Sequence, residues 1–151
     1  MVGNAEIPVA DVKPVSPEEA AQLLEQGYLY VDVRSEPEFA LGHPPGALNV
    51  PISHKTPAGM APNTDFLEVM QRVFAKGERL VLGCASGPRS RRAAQMLAQA
   101  GFTELCEMSA GFSGGRDAFG RPLPGWKQNL PVETGTPAGQ SYADVKLREP
   151  A

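Results

Sequence analysis

With 151 residues, 42% hydrophobic and 21% charged, the chain has the composition of one globular domain, long enough to bury roughly two-thirds of the surface that its unfolded form exposes. A formal net charge of -3 excludes nucleic acid and an anionic membrane surface as main partners, because both need a broad basic face. The two cysteines, Cys84 and Cys106, are too few for a disulfide scaffold and too far apart for a C-x-x-C redox or zinc pair, so no metal site is expected.

Residues 1–14, "MVGNAEIPVADVKP", carry neither a basic leader nor an apolar stretch of signal-peptide length, and no window approaches a membrane span. For a chain that is the whole gene product the expected location is cytoplasmic; a removed transit peptide would make it an organelle. "SPEEAAQLLEQG" then predicts a helix, with Ser16 as N-cap, Pro17 in the first turn, Glu19 completing a capping box and Gly27 as the stop. "LYVDV" (29–33) has the apolar run of a buried parallel strand, and "ALNVPI" (47–52) is a weaker version of the same signal. Between them "GHPPGA" is a turn-rich crossover.

"SHKTPAGMAPN" (53–63) is rich in loop formers and reads as an ordered excursion. Phe66, Val69, Met70, Val73 and Phe74 recur at i, i+3, i+4, i+7 and i+8, which predicts a helix with one apolar face, ended by Gly77. "RLVLG" (79–83) supplies a third strand. Ala93, Ala94, Leu97 and Ala100 mark the inner face of a further helix closed by Gly101, and "ELCEM" (104–108) a fourth strand, with Cys106 in the core. Residues 111–125 form a Gly/Pro-rich loop. Helix and strand alternate, so the expected fold is α/β: a central, mostly parallel sheet with helices on both faces and right-handed crossovers. The last stretch, "ETGTPAGQSYADVKLREPA", has little apolar content. The expected division is therefore a single domain over 1–133 and a loosely ordered tail over 134–151.

The chemistry concentrates in "CASGPRS", Cys84 to Ser90, where a strand ends at a thiol and a short loop leads into a helix. Ligands of open parallel sheets gather at such strand ends. The loop amides of Ala85, Ser86 and Gly87 can converge with the helix N-terminus on one anion-binding point, and such a setting lowers a cysteine pKa from about 8.5 toward about 3.5 to 7.5. Arginine in a first helical turn costs a few tenths to about 1 kcal/mol against the macrodipole, so Arg89 needs an offsetting role, holding the thiolate or an anionic substrate. Arg91 and Arg92 only strengthen the local field. The loop lacks the G-K-[ST] ending of a phosphate-binding P-loop, and no G-x-G-x-x-G follows a strand. His43 and His54 are the only imidazoles that could serve a Cys-His pair, and both read as structural or solvent-facing.

Taken together, the motifs resemble a single-domain rhodanese, a sulfurtransferase. "VDVR" (31–34), "EF" (38–39) and "GHPPGALNVP" (42–51) are similar to that family's first signature, "CASGPRS" to its active-site loop, and "GFTEL", "AGFSGG" and Trp126 to its closing segment. The likeness runs from about Val15 to Glu133. It implies a rhodanese-like fold and a Cys84 that accepts a sulfane sulfur as a persulfide without a cofactor. The donor would be a small sulfur-containing anion such as thiosulfate; the acceptor would be cyanide, a thiol or a thiol protein. In the same likeness Ala85, Ser86, Gly87, Pro88, Arg89 and Ser90 line the substrate cradle, with Asp32 and Arg34 in support near the neighbouring strand end. Pro44 stands where the family usually has Ile, Ala110–Gly111 where it has a glycine pair, and Pro88 removes one possible N–H donor. Glu38 stands where some two-domain thiosulfate-cleaving relatives have arginine, which weighs against thiosulfate as the physiological donor. Phosphatases and arsenate reductases of this fold are the rival enzymes; they place one more residue between Cys and Arg than the four found here. A non-catalytic rhodanese-like interaction module is the other rival, and such modules commonly lose the cysteine.

Overall fold

A computed structural model describes residues 12–151 of the protein; the reading of the first residues falls mainly on 1–11 and lies outside them. In chain order the elements are β1 (Val12–Val15), α1 (Pro17–Glu25), β2 (Leu29–Asp32), α2 (Glu36–Leu41), β3 (Leu48–Asn49), β4 (Ser53–Thr56), β5 (Gly59–Pro62) and α3 (Phe66–Val73). They continue with β6 (Leu80–Gly83), α4 (Pro88–Gln99), β7 (Leu105–Met108), β8 (Gly115–Arg116), β9 (Pro122–Leu123), α5 (Trp126–Asn129) and α6 (Tyr142–Val145). Five strands make one sheet in the order β1-β7-β6-β2-β3, and every neighbouring pair is parallel. The expected α/β class holds, with the sheet parallel throughout.

Helix α1 begins as its sequence dictates. Ser16 Oγ accepts the Glu19 amide at 3.1 Å, and the Glu19 carboxylate accepts the Ser16 amide at 2.8 Å, so two orphan donors of the first turn are satisfied. Period-2 alternation along the central strands then sends side chains to two cores. Leu80, Leu82 and Leu105 pack with α3, α4 and α6, while Tyr30, Val81 and Met108 pack with α1, α2 and Trp126. This burial on both sheet faces is what makes the strand segments read as apolar runs. Cys106 sits in the second core at 5% exposure, where burial raises its thiol pKa above the usual value.

Four features depart from the sequence reading. β1 pairs with β7 at the sheet edge, although Lys13 and Pro14 give it no apolar signature. Residues 36–41 form α2, a short helix whose one buried side chain is Phe39. The excursion over 53–63 is an antiparallel hairpin, β4–β5, and the glycine-rich loop contains a second hairpin, β8–β9.

Residues 134–151, expected as a loosely ordered tail, carry α6 and send two side chains into the core. Tyr142 and Val145 are 4% and 0% exposed in the first core. Asn63 Nδ2 donates to Tyr142 Oη at 3.1 Å, and Gln140 Nε2 donates to Ala47 O and Glu133 Oε1. The segment crosses the exposed side of β3, whose Asn49 amide donates to Gln140 O at 2.9 Å. It thereby covers a sheet edge that would otherwise present unpaired backbone groups. Tyr142→Ala removes a buried aromatic and its hydroxyl contact, and should lower the unfolding free energy by about 3 kcal/mol; denaturant titration measures this, and a loss below about 0.5 kcal/mol would contradict the packing of α6.

Candidate active site

Cys84 lies directly after β6, and α4 starts four residues later at Pro88. Turning the chain that fast leaves loop carbonyls to be satisfied. The next strand connection does so: Phe112 N donates to Cys84 O at 2.8 Å and Ser113 N to Ala85 O at 2.9 Å. With its carbonyls drawn outward, the loop turns an amide edge inward, and Gly87 N donates to Cys84 Sγ at 3.0 Å. Among the described residues no protein acceptor takes the amides of Ala85 or Ser86. Two glycines permit this. Gly87 has φ +117°, and a Cβ on it would sit 2.6 Å from Ser109 O; Gly111 has φ +77°, and a Cβ there would overlap the Ala85 carbonyl. Ala110 therefore serves at the first position of the expected glycine pair, whereas Gly111 is needed at the second.

The sulfur is deep, with Cys84 1% exposed. Its thiol donates to Ser90 Oγ at 3.5 Å, and Ser90, fully buried on α4, donates to Glu107 Oε2 at 2.6 Å, with Gly87 O also 3.0 Å away. Beneath the loop the Tyr30 hydroxyl approaches Gly83 and has no hydrogen-bond partner; burial, reinforced by the charge of Asp32, raises its pKa well above the ordinary phenol value.

Asp32 and Arg34 come together at the end of β2. Arg34 Nε lies 3.0 and 3.1 Å from the two Asp32 carboxylate oxygens and Nη2 2.6 Å from Oδ2, both residues being at most 4% exposed. Arg34 also donates to Gly42 O at 2.5 Å and stacks over the Phe112 ring at 4.5 Å. Asn49 Nδ2 bridges Asp32 O and Arg34 O. This is a rigid brace between the two strand ends, and none of its recorded contacts reaches the sulfur.

Arg89, expected to hold the thiolate or an anionic substrate, is paired with a carboxylate. Its fork grips Glu38, Nη1 to Oε1 at 2.7 Å and Nη2 to Oε2 at 2.9 Å, and makes no hydrogen bond to Cys84. Glu38 in turn accepts from the Ser35 amide and hydroxyl at the start of α2. The Arg89 hydrogen bonds, with help from Ser35 and against partial burial, hold the Glu38 carboxyl at a pKa of about 2. Ala85 is half-buried; Ser86 and Pro88 are exposed on the loop rim, and Arg91 and Arg92 face solvent on α4. His43 is fully buried, stacked on Phe39 at 3.8 Å, its Nδ1 donating to Phe39 O and its Nε2 facing Glu133. It is structural, as the sequence suggested. Beside the loop a cavity of about 730 Å³ is lined by Ser86, Ser113, Arg116 and Leu123, and another is lined by Arg34, Glu38, Phe112 and Lys127. Glu107 is the site residue that the sequence did not single out; an acid at the end of a buried strand is the one signal that could have found it.

Comparison with known proteins bears on this arrangement. The family model of the rhodanese-like domain matches residues 16–118, from the cap of α1 through the loop to the β8 region. The chain belongs to the rhodanese-like domain family. This rhodanese-like domain is 42% identical over 94 residues to thiosulfate sulfurtransferase 16, chloroplastic, of Arabidopsis thaliana, covering 62% of this chain and 78% of that protein. It is 38% identical over 110 residues to the protein HIGH ARSENIC CONTENT 1, mitochondrial, also of Arabidopsis thaliana, covering 73% and 65%. The crystal structure of Rv0390 from M. tuberculosis superposes with a TM-score of 0.64 at 29% identity, covering 82% of this chain and 98% of that one. The rhodanese-like domain spans just over half the length, 57%, of some curated relatives that it matches. Among the described residues no helix is long and apolar enough to cross a membrane.

The depressed Glu38 pKa makes a signed prediction. A carboxyl held below its unfolded value of 4.5 adds stability that is complete above that value and disappears as pH falls through about 2. Wild type should therefore exceed Glu38→Gln in unfolding free energy at neutral pH and match it near pH 2, by denaturant titration at both. A difference that is the same at the two pH values would contradict the ion pair.

Proposed function

We propose that the chain is a rhodanese-type sulfurtransferase that carries a sulfane sulfur on Cys84. The observation that carries this reading is the Gly87 amide aimed at the Cys84 sulfur at 3.0 Å, in a loop whose Cys84 and Ala85 carbonyls are taken from outside by Phe112 and Ser113. Amide hydrogens converging on one sulfur favour negative charge there, first on the thiolate and then on the persulfide that replaces it. Ala85 and Ser86 offer further donors to the added sulfur. The thiolate attacks the outer sulfur of a donor such as thiosulfate, a Cys84 S–S bond forms, and the donor S–S bond breaks with its electron pair leaving on sulfite. The persulfide then passes its terminal sulfur to cyanide, a small thiol or a thiol on a protein.

Two residue roles follow. Asp32 and Arg34 act through the brace that fixes the strand ends, and Arg89 supplies positive charge at the rim while Glu38 holds it in place. A donor anion competes with Glu38 for that guanidinium, which fits the view that thiosulfate serves the enzyme less well than a less charged donor. The compartment proposed is a reducing one inside a cell, in keeping with two unpaired cysteines and with organelle names among relatives.

The rival reading as arsenate reductase or phosphatase has support from the arsenic-named relative. Against it stand the four residues between Cys84 and Arg89 and a sulfur 1% exposed, a setting suited to one added sulfur rather than to a tetrahedral oxyanion. Incubation with thiosulfate should add the mass of one sulfur atom to the Cys84 peptide, and cyanide should then release it as thiocyanate. Cys84→Ser should reduce this turnover to background with the fold intact by circular dichroism. Arsenate reduction or aryl phosphate hydrolysis by the same sample, without sulfur loading, would decide for the rival. Arg89→Ala should raise the KM for thiosulfate about tenfold with a smaller change in kcat; an unchanged KM would remove Arg89 from donor binding.

A further inference from the structure

Cys84 is 1% exposed, and the hydroxyl its thiol donates to lies on the buried side of the loop. The contacts around Cys84 lead inward. The thiol donates to Ser90 Oγ at 3.5 Å, and the single Ser90 hydroxyl proton is drawn to the nearer and charged acceptor, Glu107 Oε2 at 2.6 Å. Glu107 is 5% exposed, and its second oxygen accepts from Ser109 Oγ at 2.9 Å. The other two buried or half-buried acids near the loop are paired with guanidinium groups, Asp32 with Arg34 and Glu38 with Arg89. Among the described residues Glu107 has no cation within 4.0 Å, only hydroxyl donors. It also borders a small cavity of about 240 Å³, which it shares with Ser109, Pro14 and the exposed Arg91 and Gln95.

On α4 Glu107 meets Ser90 and shares the small cavity with Arg91, and on β6 its register partner is Leu82. β1 sets Pro14 opposite it, Lys13 lying on the Cys106 side of the sheet; the Tyr30 hydroxyl lies near enough to sense its charge.

We propose that Ser90 and Glu107 form the proton exit of Cys84, taking the thiol proton inward to a buried carboxylate whose far side opens beside Arg91. The step balances: the Cys84 S–H bond breaks with its electron pair left on sulfur, that proton bonds to Ser90 Oγ, and the former Ser90 proton bonds to Glu107 Oε2. One carboxylate charge becomes one thiolate charge, so no net charge is added to the buried site. When the sulfane sulfur has been handed on, the same path returns the proton to the sulfur. Glu107 is thus a positioning and proton-holding residue that acts through Ser90, and Ser90 presents a lone pair to the thiol because its own hydrogen points to Glu107. The inference rests on the reading of Cys84 as the nucleophile.

The test is the pH profile of Cys84 alkylation by iodoacetamide on the full chain, followed by peptide mass so that Cys106 is scored separately. Glu107→Gln keeps the size and one acceptor oxygen but cannot hold the proton. It should slow Cys84 alkylation at neutral pH at least tenfold and move the profile to higher pH, with Glu107→Asp recovering part of the rate. A carboxylate that merely repelled the thiolate would give the opposite result, faster alkylation in Glu107→Gln, and either that or an unchanged profile overturns the proposal. If Glu107→Gln fails to fold, Ser90→Ala reads the same path from its middle; a slowed profile supports the relay and an unchanged one overturns it. A wild-type protein that alkylates with the expected Glu107 dependence yet never gains sulfur from any donor supports the relay and overturns only the sulfurtransferase reading. A Cys84 that reacts at no pH overturns both.

Discussion

The structure depends on one constraint: a parallel strand must end, a helix must begin four residues later, and the carbonyls at the start of the turn must still be satisfied around a sulfur. The solution divides the loop by side. Phe112 and Ser113 take the Cys84 and Ala85 carbonyls from outside, and the Gly87 amide donates to the Cys84 sulfur. Glycine at 87 and 111 follows from that arrangement, since a side chain at either position would strike a backbone carbonyl. The amide donated to the sulfur is therefore a consequence of how the backbone is paired rather than of the arginines that first draw notice.

The charged residues around the loop obey a second rule. Burying a charge is tolerable when a hydrogen-bonded partner is buried with it. Asp32 has Arg34, two residues further along the same turn, and Glu38 has Arg89, 51 positions away in the sequence. Asp32–Arg34 steadies the β2 end against β3 through Asn49, and Glu38–Arg89 fastens α2 to α4. Glu107 stands apart from this scheme, held by Ser90 and Ser109 alone. Ser90, the nearer of its two partners, is also hydrogen-bonded to the thiol.

Much of this was legible in the sequence, for reasons that can be stated residue by residue. The capping box at Ser16 and Glu19, the apolar runs of β2 and β6, and the helical spacing from Phe66 to Val73 are local signals, and each local preference agrees with the final fold. The position of Cys84 at a strand end before a helix was equally local. What escaped were features decided by distant partners. β1 is an edge strand with Lys13 and Pro14 in it, and only pairing with β7 makes it a strand. The terminal segment reads as polar because two anchors, Tyr142 and Val145, are enough to dock it. Arg89 was expected to hold the thiolate or an anionic substrate; its pairing with Glu38, 51 positions away, is announced by nothing in the loop sequence. Glu107 resembles any other strand residue until Ser90 is brought beside it.

The central claim is that the inward amide edge holds one additional sulfur atom on Cys84, and a crystal structure of the protein after exposure to thiosulfate tests it most directly. The account predicts density for a single atom bonded to Cys84 Sγ and within hydrogen-bonding distance of the Ala85, Ser86 and Gly87 amides. Density for an unmodified Cys84 with the donor bound elsewhere, or for an intact tetrahedral oxyanion in the loop, would contradict it.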